Sequence, residues 1–264
     1  MINKKRAQVT LFIIIAVVII GAAILFFAFT DIGREIISPI VPSGIGTGLN
    51  VEKDFEKCVL DDEMFNKEIA AILKQGGDNN PEHFFLYNDT KYKYLCYSAN
   101  YYEACINQEP LLIQSVEAEI LDAVKPILAK CIQKIEKNLM DRGFEIRSDD
   151  FNSEVDIITG NINIKILYNL RIKKGDVSKV FESFEIKKKS EAYQLITVAS
   201  SIINFEAHYG DSDSVAYMSI YPNTRVEKLK QDDGTTVYRL SDRVTKEEFN
   251  FATRSYALPP GYLL

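Results

Sequence analysis

The sequence predicts an α+β domain carried behind an N-terminal membrane-spanning helix. Three observations carry that expectation. An unbroken apolar run occupies Leu11–Phe29. Apolar residues recur at three- and four-residue spacing over 51–75 and 111–142. From Phe144 onward the dominant period changes to two. Helical stripes followed by alternating segments point to an antiparallel sheet with helices on one face.

The apolar run is nineteen residues long. At about 1.5 Å per residue it reaches roughly 28 Å, close to the roughly 30 Å hydrocarbon core of a bilayer. A helix is the form in which such a segment satisfies its own backbone in lipid. Lys4, Lys5 and Arg6 precede it, and no further positive charge appears until Arg34. Positive flanks stay on the cytoplasmic side. The expected order is therefore a cytoplasmic tail at 1–10, a transmembrane helix at 11–29, a linker at 30–50 and an extracytoplasmic domain at 51–264. A cleaved secretory signal fits less well, because its apolar part runs to only about 7–15 residues and ends in small residues. Here Phe26, Phe27 and Phe29 crowd the end.

The linker is marked by SPIVPSGIGTGLN at 38–50, with two prolines and three glycines. Val51, Phe55, Cys58, Phe65, Ile69 and Ile72 then form a helical stripe that Gly76 and Gly77 stop. HFFLY (83–87) and KYKYLCY (91–97) flank Asn88-Asp89-Thr90 as a hairpin. Pro110 opens a second helix striped by Ile113, Val116, Ile120, Val124, Ile127, Cys131 and Ile135, with a kink expected at Pro126 and an end at Gly143. NINIKILYNLRIK puts Ile162, Ile164, Ile166, Tyr168, Leu170 and Ile172 on one parity, with Leu167 the exception. VFESFEIK (180–187) returns after a Lys174-Gly175-Asp176 turn. Glu191–Tyr209 reads as one further helix, with Leu195, Ala199, Ile202 and Ile203 inward. VAYMSIY (215–221), VYRL (237–240) and FNFATRSYAL (249–258) read as strands.

Charge excludes some partners. The chain carries 31 basic and 37 acidic residues. Three of the basic residues and none of the acidic ones lie in the first thirty, so the remainder is at −9. That balance argues against a nucleic-acid partner and against docking on anionic headgroups. The partners expected are the bilayer, through residues 11–29, and an envelope protein or a second copy.

Cys58, Cys96, Cys105 and Cys131 form an even set, which outside the cytoplasm suggests disulfides. Of the three connectivities, Cys58–Cys131 and Cys96–Cys105 are expected. The first pair lies within two stripes that can pack together, and the second is close in sequence. Buried free thiols are the alternative.

No catalytic set stands out. His83 and His208 lie far apart and outside any metalloprotease or nucleophile motif; Ser200-Ser201 lacks a nucleophile elbow. No CxxC suggests zinc and no glycine-rich loop suggests a phosphate, so no cofactor or metal is expected. Asp211-Ser212-Asp213 is an acidic turn lacking the glycine and distal glutamate of a calcium loop. Asp232-Asp233-Gly234 suits a hairpin turn. Tyr87, Tyr92, Tyr94, Tyr97, Tyr101 and Tyr102 gather around the first hairpin, where strand packing accounts for them as well as a binding patch would. Asn88 heads an N-x-T sequon.

The stretch KKRAQVTLF before an Ile/Val-rich run resembles the class III, prepilin-type leaders of archaea. That resemblance implies cleavage between Ala7 and Gln8. Phe12 departs from it, since pilins commonly carry Glu at the fifth mature position, and the linker and long helices depart from a direct run into a β-rich head. The larger pattern is similar to uncharacterised archaeal single-pass membrane proteins that begin near KGQVTLF. The matching residues are Gln8 to Phe12, Cys58, Gln75-Gly76-Gly77 and Cys131. The resemblance implies an envelope compartment and no particular reaction.

Overall fold

A computed structural model describes residues 49–259. The expected tail, spanning helix and most of the linker, including Ala7 and Gln8, lie outside the described residues. Contacts group Asn50–Leu264 as one compact unit.

The first helical stretch is two helices, α1 (Val51–Leu60) and α2 (Glu63–Lys74), rather than one. The break is chemical. Asp62 adopts an extended conformation and its Oδ1 accepts from Met64 N at 2.9 Å, so it caps a new helix. Asn50 caps α1 in the same way, through Lys53 N. At the end of α2, Gly76 takes φ +84° and Gly77 N–H reaches back to the Ile72 carbonyl at 2.9 Å. Gly77 also lies against α3 (Leu112–Asp141), where a Cβ would sit 2.3 Å from Val116 Cγ2.

Helix α3 runs through Pro126. Its buried stripe is Leu112, Val116, Ile120, Val124, Ile127, Leu128, Cys131, Ile132, Ile135 and Leu139. Both α1 and α2 pack against it.

Two sheets replace the single one expected. The first has six strands: β1 (Phe84–Tyr87), β2 (Thr90–Tyr97), β3 (Ile106–Asn107), β8 (Thr224–Lys230), β9 (Thr235–Asp242) and β10 (Glu248–Arg254), in the order β1-β2-β10-β9-β8 with β3 beside β2. It is mixed: β2 and β10 run parallel and the other pairs are antiparallel. The second sheet is antiparallel and comprises β4 (Glu145–Ser148), β5 (Asn152–Ile158), β6 (Asn161–Lys174) and β7 (Val177–Lys189). Strand β7 follows β6 along its length, while β4 and β5 pair with successive stretches of β6. The even residues of β6 from Ile162 to Ile172 are buried as alternation requires. Leu167 is exposed and borders the register shift between β6 and β7.

Helix α4 (Ala192–Tyr209) contacts strands of both sheets. Leu195, Ile196, Val198, Ala199, Ile202 and Ile203 on it are fully removed from solvent. The helices are thus not confined to one face of one sheet.

Residues 215–221, expected as a strand, form helix α5 (Ser214–Ile220). The overlooked signal is Asp213, whose Oδ1 accepts from Val215 N and Ala216 N and so opens a helix. Five α-helices are described in all.

Candidate functional site

The cysteines form two bridges, Cys58–Cys131 from α1 to α3 and Cys96–Cys105 across the loop after β2. Their Cα separations are 5.9 and 5.3 Å. Asn88 is exposed at the tip of the β1–β2 hairpin. It and Asp89 take φ +48° and +60°, the paired positive angles of a tight two-residue turn.

The two histidines do not converge on a nucleophile. His83 packs its ring on Tyr94 and Tyr97, with centroids 4.8 and 4.3 Å away. His208 bonds the Asn204 carbonyl within its own helix. Ser200 donates to the Ile196 carbonyl, and Ser201 meets the Tyr217 hydroxyl. Among the described residues no cluster of His, Cys, Asp and Glu could hold a metal ion. No helix among them is long and apolar enough to cross a membrane.

Most of the tyrosine cluster packs against the sheet. Tyr92 and Tyr94 form a small core with Val237 and Ala252, flanked by Phe85, Tyr87, Tyr97 and Leu229. The Tyr94 hydroxyl meets Thr235 Oγ1 at 2.7 Å. Tyr101 and Tyr102 are exposed, with the Arg254 guanidinium over the Tyr101 ring.

The densest polar site was not expected from the sequence. Glu206, on α4, is 2% exposed. Its Oε1 accepts from Ser212 N at 3.0 Å and from the Tyr238 hydroxyl of β9. Lys228 of β8 places Nζ 3.7 Å from the same oxygen and donates to the Ser212 carbonyl at 2.7 Å. Ser212 Oγ meets the Tyr238 hydroxyl at 2.9 Å. Asp211 receives both Lys228 and Lys230. Ser255 closes the set: its hydroxyl donates to the Glu206 carbonyl and accepts from Cys105 N. The Glu206 carboxylate therefore ties α4, the loop after it, β8 and β9 together, and its main-chain carbonyl reaches the segment after β10. That carbonyl connects through the Ser255 hydroxyl to the backbone of bridged Cys105.

The electrostatics follow from burial. Desolvation and the neighbouring Glu206 carboxylate push the Tyr238 phenol far above its ordinary range. Partial desolvation raises Asp211, but hydrogen bonds from Lys228 and Lys230 outweigh it and hold that carboxyl below the usual range. Tyr238 keeps its proton and directs it at Glu206. The acidic turn at 211–213 spends its carboxylates on two lysines and on the α5 cap.

A cleft of about 410 Å³ opens beside this network, lined among others by Tyr209, Asp211, Lys230, Thr235, Ser255 and Tyr256. Two phenol rings face it, while the Thr235 and Ser255 hydroxyls are engaged by Asp233 and by the Glu206 carbonyl. A lone glutamate in the apolar sequence of α4 was the one signal that could have located the network.

No protein-family model, curated protein or solved structure matches this chain.

Proposed function

We propose that this chain is a single-pass membrane protein of the cell envelope, with its α+β domain outside the cytoplasm in a structural or binding role. The observation that carries the reading is the basic flank Lys4-Lys5-Arg6 before nineteen apolar residues. The two disulfides support the compartment, because such bridges persist where the surroundings are oxidising. The resemblance of Gln8 to Phe12 and the QGG turn to archaeal single-pass proteins points the same way. The Glu206 network favours a structural role, since its donors and acceptors meet one another.

Protease treatment of intact cells tests the topology. The domain should be released into the medium. Full protection in intact cells, with digestion after lysis, would overturn it.

A pilin-like subunit is the second reading, and the Ala7-Gln8 junction is what favours it. Native N-terminal sequencing separates the two. A start at Gln8 selects the processed subunit, and a retained leader selects the tether.

A further inference from the structure

Charge covers the solvent sides of most helices but not those of α4 and α5. Helix α1 exposes Glu52, Lys53, Asp54 and Lys57, and α3 exposes Asp122, Lys125, Lys130, Lys134 and Lys137. Between Lys189 and Arg225 there is no lysine or arginine. The carboxylates in that interval are few. Glu206 is buried, Asp211 is engaged by two lysines, Asp213 caps α5, and Glu191 precedes α4.

What the helices of this interval expose instead is largely apolar and phenolic, interleaved with Ser201, Asn204, His208 and Ser219. Helix α5 buries none of its residues, although Val215, Ala216, Tyr217, Met218 and Ile220 make up most of it. Val215 is 63% exposed, Ile220 68%, and Val244 of the β9–β10 turn 76%. Ile220 and Val244 stand at the rim of one hollow of about 330 Å³ whose lining also holds Tyr221, Pro222, Glu191 and Asp242. The Phe205 and Tyr209 rings meet at a tilt of 46°, centroids 4.8 Å apart, on the outer side of α4. The Ser201–Tyr217 hydrogen bond joins α4 to α5, so these groups form one surface.

We propose that this surface lies in the interfacial layer of the bilayer that anchors the chain, with Val215, Ile220 and Val244 entering the acyl boundary. The proposal rests on the membrane-anchored reading above. Tyrosine rings suit that layer because one end of each is apolar and the other wet. The exposed helices of this face carry no lysine, arginine or free carboxylate, and the cations beside Val244, Arg243 against Met218 and Lys246, have stems long enough to keep their charges in the headgroup layer. The linker at 30–50 permits the approach. Fully extended, its twenty-one residues reach about 70 Å, beyond the roughly 45 Å diameter of a domain of this size. Entry works through apolar groups, so it needs no anionic headgroup and is compatible with the acidic exterior.

The chain contains no tryptophan, so one introduced indole reports alone. Full-length Ile220→Trp, Val244→Trp and Val180→Trp proteins are reconstituted in vesicles of phosphatidylcholine, with and without brominated acyl chains. Val180 is an exposed residue of β7, in the other sheet. The 220 and 244 indoles should lose most of their emission to brominated lipid, and the 180 indole should keep it. If the protein floats with the vesicles but no indole is quenched, this surface is not the lipid-facing one and the anchor still stands. Shielding of 220 and 244 from aqueous acrylamide without quenching by bromine identifies a second copy as the cover and overturns the proposal. Failure to float removes the anchored reading and this proposal together.

Discussion

Removal of the Cys58–Cys131 bridge should destabilise the domain by about 4 kcal/mol. The bridge closes a separation of 73 residues. In the chain-entropy treatment a loop of that length loses roughly 15 cal/mol/K from the unfolded ensemble, or about 4.4 kcal/mol at room temperature. The Cys96–Cys105 loop, with a separation of 9, gives about 2.6 kcal/mol by the same relation. For a domain of this length each kcal/mol shifts Tm by roughly 2–4 °C, so the Cys58→Ala/Cys131→Ala protein should melt about 9–18 °C lower. Urea unfolding followed by near-UV circular dichroism measures the same quantity. The slope should also rise, since an unbridged unfolded chain exposes more surface. A loss under about 1 kcal/mol with an unchanged slope would refute the reasoning, because the long loop would then be constrained in the unfolded state by something other than the bridge.

Glu206→Leu should cost about 3–5 kcal/mol, because Lys228, Tyr238 and Ser212 lose a shared buried acceptor. Tyr238→Phe should cost about 1–2 kcal/mol, and the double variant should fall short of the sum by about 0.5–3 kcal/mol in equilibrium unfolding. Gly77→Ala should lose about 1–3 kcal/mol through its positive φ and the overlap with Val116, whereas Gly160→Ala, with nothing near its Cβ, should lose less. Asp242 tests the acid side. Burial raises its carboxyl, but hydrogen bonds from Thr245 and Val244 outweigh that and hold it below the usual range. A depressed carboxyl contributes stability above its unfolded value of about 4 and loses it as pH falls through the folded value. Asp242→Asn should therefore flatten the fall in Tm below about pH 4.

Local chemistry was legible at turns and alternating strands, though not at the Asp62 and Asp213 helix caps. The positive φ at Asn88-Asp89, the glycine stop of α2 and the alternation of β6 follow from conformational preference and burial within a few neighbours. The course of β10 does not. Its parallel partner β2 lies about 150 residues away, and nothing in FNFATRSYAL distinguishes a parallel from an antiparallel neighbour. Strand pairing over such distances is set by which faces remain to be covered. The helix at 214–220 was hidden because its apolar pattern fits either period, and only the Asp213 cap breaks the tie. The Glu206 network was hidden for a related reason. Its members come from α4, the following loop, β8 and β9, and none of them is unusual alone.

The β2–β10 pairing also bears on the order in which the domain can assemble. Strand β2 is complete early in the chain, yet its parallel neighbour belongs to residues 248–254. A chain emerging from its N-terminus must hold the β1–β2 hairpin with one side unmatched until nearly all the rest has followed. All four cysteines precede residue 132, so both bridges can close during that wait. They would fix α1 to α3 and the loop after β2 before the last strand arrives. The final insertion of β10 between β2 and β9 would then be a slow, late step whose closing partners are already in place.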